Sequence, residues 1–137
     1  MKRYVLDTCA LIALFQDEEG ADVVSRTLNA AYKGEVEVIM HKANFLEVFY
    51  EAYRNRGKEE ANLIVEEVKK LPVQINPEIT DEIFEEAGRL KATHKISFAD
   101  SFALAQAKVS GGALLTSDHH EFDIIEAKED IEFAWIR

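Results

Sequence analysis

Among the 26 acidic residues of the chain, Asp7, Glu47, Asp100 and Asp118 stand where carboxylates could do chemistry. Asp7 directly follows the apolar run Tyr4-Val5-Leu6, and Asp118 follows Ala113-Leu114-Leu115-Thr116 with only Ser117 between. If both runs are parallel strands, the two acids lie at the carboxyl edge of a sheet. Open α/β sheets bind ligands there, at the point where strand order reverses. Glu47 lies off the apolar stripe formed by Phe45, Val48, Phe49, Ala52 and Tyr53, with Asn44 and Glu51 as neighbours one helical turn away. Asp100 stands three residues after Ser97, as in a capping box, on the face shared with Ala103, Leu104 and Ala107. Gathered carboxylates are hard oxygen ligands that favour Mg²⁺ or Mn²⁺. Such ions polarise a phosphate, acidify an attacking water and stabilise a leaving oxygen. Each acid also has a plainer reading: Asp at a strand end is a common turn residue, Asp100 can serve a helix N-terminus, and Glu47 can lie on a solvated face.

The elements needed to position these acids alternate along the chain. Strands are expected at Tyr4–Leu6, Val36–Met40, Val73–Ile75, Ala113–Thr116 and Ile131–Ile136. Helices are expected at about Ala10–Phe15, Glu19–Tyr32, Lys42–Arg56, Lys58–Leu71, Glu78–His94 and Phe98–Val109. Gly57 and Gly111-Gly112 supply helix ends, Pro72 closes another, and Ser97 serves as an N-cap. Strands alternating with helices imply parallel pairing through right-handed crossovers. The expected fold class is therefore α/β, a three-layer sandwich around a parallel sheet, with residues 1–137 as one domain.

Composition narrows the function. With 137 residues, 47% hydrophobic and 31% charged, the chain has the make-up of an ordinary globular protein. Its apolar runs fall short of the roughly 18 residues that span a bilayer. Met1-Lys2-Arg3 before an apolar stretch only faintly resembles a secretion signal, since Asp7 interrupts it and no small-residue cleavage site follows. A cytoplasmic location is expected. Cys9 is the sole cysteine, which rules out an internal disulfide and argues against a thiolate metal site. The net charge of -10 is opposite to that of proteins that grip nucleic acid non-specifically. A nuclease of this charge must offset it with metal or with a local basic strip.

Taken together, Tyr4-Val5-Leu6-Asp7-Thr8, Asn44-Phe45-Leu46-Glu47-Val48, Ser97-Phe98-Ala99-Asp100-Ser101-Phe102-Ala103-Leu104-Ala105 and Leu114-Leu115-Thr116-Ser117-Asp118-His119-His120-Glu121-Phe122 resemble the PIN-domain ribonucleases, especially the VapC-type toxins of toxin–antitoxin pairs. The resemblance spans nearly the whole chain in the family's order. It implies a PIN-like sandwich with an acidic pocket, and a metal-dependent endoribonuclease in which Asp7, Glu47, Asp100 and Asp118 are the catalytic acids holding Mg²⁺ or Mn²⁺. It further implies an RNA substrate, a homodimer and an antitoxin partner, whose helix lies in a groove and sends an Arg or Lys into the pocket. The alternative is a catalytically silent PIN-like module that binds or scaffolds. A phosphotransferase of the haloacid dehalogenase type needs a second Asp two residues after the first, and Cys9 stands there. Thr8, Thr116 and Ser117 can orient the acids or a water, or serve as strand-end and turn residues. This chain departs from many relatives in two places: His120 replaces an acid two residues after Asp118, with Glu121 next, and His41 replaces a Ser or Thr after the second strand.

Three more expectations follow. His119 and His120 are adjacent and lack a third soft ligand, so they read as a solvated loop rather than a zinc site. Arg89, Lys91, His94 and Lys95 precede Asp100 and are candidates for a basic strip facing RNA phosphates, or for a solvated face. Four carboxylates around one pocket repel one another, so without a cation at least one should have a raised pKa.

Overall fold

The computed structural model describes residues 1–137. Its elements are β1 (Lys2–Leu6), α1 (Thr8–Phe15), α2 (Ala21–Tyr32), β2 (Val36–His41), α3 (Lys42–Arg56) and α4 (Lys58–Lys69). They continue with β3 (Gln74–Asn76), α5 (Asp81–Thr93), α6 (Phe98–Ser110), β4 (Ala113–Thr116), α7 (His119–Lys128) and β5 (Phe133–Trp135). The five strands pair in the order β3-β2-β1-β4-β5, every pair parallel. The chain builds outward from β1 to β2 and β3, then crosses back and builds β4 and β5 on the other side. The order therefore reverses between β1 and β4, which pair Tyr4 with Ala113 and Leu6 with Leu115.

Successive strand residues face opposite sides of a sheet, and this alternation divides the interior in two. Val5 and Leu114 enter a core with residues of α5, α6 and α7, among them Leu90, Leu104 and Phe122. Their neighbours Leu6 and Leu115 enter a second core with residues of α1, α2, α3 and α4, among them Leu11, Val24 and Val48. The result is the expected α/β/α sandwich. Helix α6 is buried from Ser101 through Ala107, which explains why apolar residues occupy more than one of its faces. Gly57 ends α3 at φ 94°, a conformation that side chains disfavour, and so lets α4 begin at once.

The structure corrects several boundaries. Helix α1 starts at Thr8, because Asp7 caps it by accepting from the Ala10 amide. Helix α2 starts at Ala21, after Gly20 in the left-handed region. Helix α5 starts at Asp81 rather than Glu78, since Thr80 caps it. The last strand is only Phe133–Trp135, not Ile131–Ile136. The largest correction is α7: His119 and His120 do not form a loop but open a helix capped by Asp118. His119 stacks on Trp135 with ring centroids 3.7 Å apart and bonds to Asp123 and the Arg137 carbonyl. No helix is long and apolar enough to cross a membrane.

Truncating Leu104, fully buried in α6, should cost about 2–5 kcal/mol, whereas Leu63→Ala on the exposed side of α4 should stay within about 0.5 kcal/mol. Urea unfolding of both variants checks the contrast. Equal costs would show that α6 is not the central helix described here.

Candidate active site

Asp7 occupies the last position before α1, at the carboxyl end of the central strand. It is buried, with 1% of its surface exposed. Its Oδ1 accepts from the Ala10 amide at 2.8 Å. Burial pushes its pKa up to about 7, the Thr116 hydroxyl and the Ala10 amide pull it down, and Asp100 and Asp118 push it further up. Asp118 follows the adjacent strand and caps α7, accepting from the Glu121 amide at 3.1 Å while its own amide donates to the Thr116 hydroxyl. Thr116 thus bonds the Asp118 backbone and bears on the Asp7 carboxyl at the β1–β4 junction.

Asp100 comes from the first turn of α6, whose cap Ser97 accepts from the Asp100 amide. Burial raises its pKa to about 6, opposed by Ser97 and reinforced by Asp118, Glu47 and Glu121. Glu47 is half-buried, and the Thr8 hydroxyl donates to its Oε1 at 2.5 Å. The Thr8 hydroxyl also lies 3.2 Å from the Asn44 carbonyl. Glu47 therefore faces the start of α1 rather than open solvent. Burial raises the pKa of the Cys9 thiol far above the usual thiol range, and the charges of Asp7, Asp118, Asp100 and Glu47 add to the rise. A neutral thiol is a poor nucleophile, so Cys9 is a marker of the pocket rather than a reagent.

Asn44 is a residue whose part the sequence did not reveal. It is fully buried one helical turn before Glu47; its Nδ2 donates to the Ala99 carbonyl at 2.9 Å, while its Oδ1 has no partner. The spacing of Asn44 and Glu47 on one helical face was the available signal. An unpartnered buried acceptor calls for an explanation. The oxygen donors of the pocket, with no imidazole or thiolate among them, fit a hard divalent cation. No three His, Cys, Asp or Glu side chains are drawn into a ready ligand cluster.

A family model described as the PIN domain matches residues 4–128. The chain belongs to the PIN domain family. No curated protein matches the sequence. Among solved structures, VapBC2 from Rickettsia felis, bound to a promoter DNA fragment, is similar at TM-score 0.75 and 15% identity, covering 97% of this chain and 98% of that one. DNA-bound VapBC from Salmonella typhimurium is similar at TM-score 0.75 and 17% identity, over 100% of both chains. VapC20 of Mycobacterium tuberculosis, described as a sarcin–ricin loop cleaving toxin, is similar at TM-score 0.66 and 16% identity, covering 91% of this chain and 95% of that one. At such identities the likeness is one of fold.

In this PIN domain, the other residues singled out by sequence separate. Ser117 is half-buried beside Asp118 but makes no side-chain hydrogen bond; its carbonyl accepts from the His119 amide. Glu121 borders the acids, acting on Asp100 by charge. His120 is exposed. His41 is buried at the start of α3, with Nδ1 accepting from the Ala43 amide and Nε2 2.9 Å from the Glu78 carbonyl.

At least one acid was expected to have a raised pKa; two do, and burial rather than mutual repulsion is the leading cause. Asp7 in the folded chain titrates near 7 against an ordinary 3.8, so between those values the native state holds more protons than the unfolded state. The contribution of Asp7 to stability therefore falls as pH rises from about 4 to about 7. His41, whose pKa is lowered by burial, works the other way below its ordinary value. The informative quantity is thus the difference between wild type and Asp7→Asn, which keeps a cap acceptor. In EDTA the variant should gain Tm over wild type progressively from about pH 4 to about pH 7, and the gain should level off above that. A difference independent of pH would mean that Asp7 does not titrate in this window.

Proposed function

We propose that this chain is a metal-dependent endoribonuclease that hydrolyses RNA phosphodiester bonds, and that it serves in the cytoplasm as the toxin of a toxin–antitoxin pair. Residues 1–137 would form one nuclease domain. The reading is supported by Asp7 and Asp118 at the strand-order reversal of a PIN domain, with Asp100 in the first turn of α6 and Glu47 held by the Thr8 hydroxyl. When bound at those oxygens, Mg²⁺ or Mn²⁺ would polarise the scissile phosphate and lower the pKa of an attacking water. The chain's own part is to hold the donors in place. The Ala10 amide and Thr116 hydroxyl fix Asp7, the Thr8 hydroxyl turns Glu47 inward, and the Glu121 amide holds Asp118. Ser117 supplies a free hydroxyl at the same edge.

The partner follows from the solved relatives, whose descriptions name VapBC assemblies. A groove between α1, α3 and α4, with Ile12, Phe15, Val48, Ala52 and Ile64 in its lining beside Gln16, Glu51, Asn55 and Arg56, offers the mixed apolar and polar surface that an amphipathic antitoxin helix requires. An Arg or Lys on that helix would reach the acidic pocket. A second apolar groove, of about 440 Å³, carries the exposed Ile79, Phe84 and Phe98, and we assign it to the homodimer contact.

Purified protein should cut single-stranded or looped RNA in Mg²⁺ or Mn²⁺ and not in EDTA. Asp7→Asn and Asp118→Asn should each lose more than the roughly 10–100-fold that follows removal of an outer-shell partner, with circular dichroism unchanged. Variants that cut as fast as wild type would show the site to be elsewhere. For the assembly, light scattering should give a dimer that Phe84→Glu converts to monomer; a wild-type monomer at high concentration would remove the dimer from the proposal.

A further inference from the structure

The four basic residues singled out before Asp100 do not act together. Arg89 donates to Glu86 and Glu129, and His94 Nε2 lies 2.7 Å from Glu129 Oε2, so both are tied to carboxylates. Across the molecule, ten of the 16 Lys and Arg side chains form ion pairs. Among the remainder, Lys95 and Lys128 line one cleft of about 480 Å³ together with Thr93, His94, His120 and Glu121. The cleft runs between the end of α5 and α7. Its walls are joined where His94, the C-cap of α5, bonds Glu129, the C-cap of α7. At Glu121 the cleft meets the acidic site, because the Glu121 amide donates to Asp118 and its charge acts on Asp100. His120, beside Glu121, is exposed, and its imidazole forms no hydrogen bond within the protein.

Resting on the ribonuclease reading, we propose that this cleft seats the phosphate backbone of the RNA strand next to the cut site, with Lys95 and Lys128 each facing a phosphate. The chain as a whole, at -10, repels a polyanion. At physiological salt, however, exposed charges beyond about 8 Å are largely screened, so local cations decide where a strand can lie. Free ammonium groups act as point-charge phosphate binders. Arg89 and His94 cannot do this while Glu129 holds them, and their bond instead keeps the two walls together. Lining the cleft are two free cations and the exposed imidazole of His120 against one carboxylate, Glu121, at the end where a metal would sit.

The test compares Lys95→Ala/Lys128→Ala with Lys33→Ala/Lys58→Ala, which removes as much charge from unpaired lysines elsewhere. A fluorescein-labelled single-stranded oligoribonucleotide is titrated against each, in an Asp7→Asn background, at several salt concentrations. The cleft variant should bind about tenfold more weakly, and its log–log salt slope should fall by about 1.4, at about 0.7 per phosphate contact. In the cleaving protein KM should rise about tenfold with kcat nearly unchanged, and Tm should hold. The control should move neither slope nor KM. A cleft variant indistinguishable from the control would overturn the cleft, while cleavage by wild type would leave the ribonuclease reading standing. RNA bound with the full slope but cut by no preparation would remove the ribonuclease reading and keep the cleft. Absence of any RNA binding would end both.

Discussion

A carboxylate is buried at the one junction in this sheet where strand order reverses, and much of the molecule is arranged around it. Withdrawing a charge from water costs several kcal/mol unless other groups compensate. For Asp7 the compensation is local: the Ala10 amide of the helix it caps, and the Thr116 hydroxyl of the neighbouring strand. Each depends on larger features. The amide is available because α1 starts immediately after β1. Thr116 is available because β4, although more than 100 residues away in sequence, pairs directly with β1. That pairing in turn requires β2 and β3 to be laid down on the other side. The position of one buried acid is thus coupled to the topology of the sheet.

The walls of the pocket are built by the same economy of contacts. Asn44 holds the start of α6 through the Ala99 carbonyl, while its own carbonyl lies against Thr8, so α1, α3 and α6 meet at one side chain and one peptide group. Thr8 then aims Glu47 at the pocket. Three helices from distant parts of the chain are fixed by bonds that also orient the candidate ligands. A loss of packing here would be a loss of geometry at the site.

Much of this was legible in the sequence, for reasons that can be named. The short apolar runs at Tyr4–Leu6, Val36–Met40 and Ala113–Thr116 have the length and flanks of buried parallel strands, and Gly57 and Gly111 mark helix ends by their backbone freedom. The acids were visible because they sit next to those runs. What stayed hidden depends on groups far apart in sequence or on polar residues with two uses. Asp118-His119-His120-Glu121 reads as a polar loop, yet the Asp118 side chain and the Glu121 amide make it a helix start. The apparent basic strip dissolves because Glu129, 40 residues after Arg89, takes Arg89 and His94. The burial of Asp7, and with it the dominance of desolvation over repulsion, appears only once α1, α6 and α7 have closed around the strand end.

The same helices bear on why a divalent cation suits the proposed chemistry. Asp7 caps α1, Asp118 caps α7 and Asp100 lies in the first turn of α6. Three helix N-termini therefore point at the pocket, each worth roughly half a positive charge. Against four ionised carboxylates they leave a deficit of roughly two to three charges. Protons can fill part of it, as the raised values of Asp7 and Asp100 indicate, but a protonated acid is no ligand. A lysine inside the pocket would fill it permanently and close the site to a phosphate. A bound divalent ion cancels most of the deficit while leaving positive coordination positions directed outward. The helix ends are enough to let the acids be buried, and not enough to neutralise them. That residual negative charge is what a catalytic metal requires of its protein.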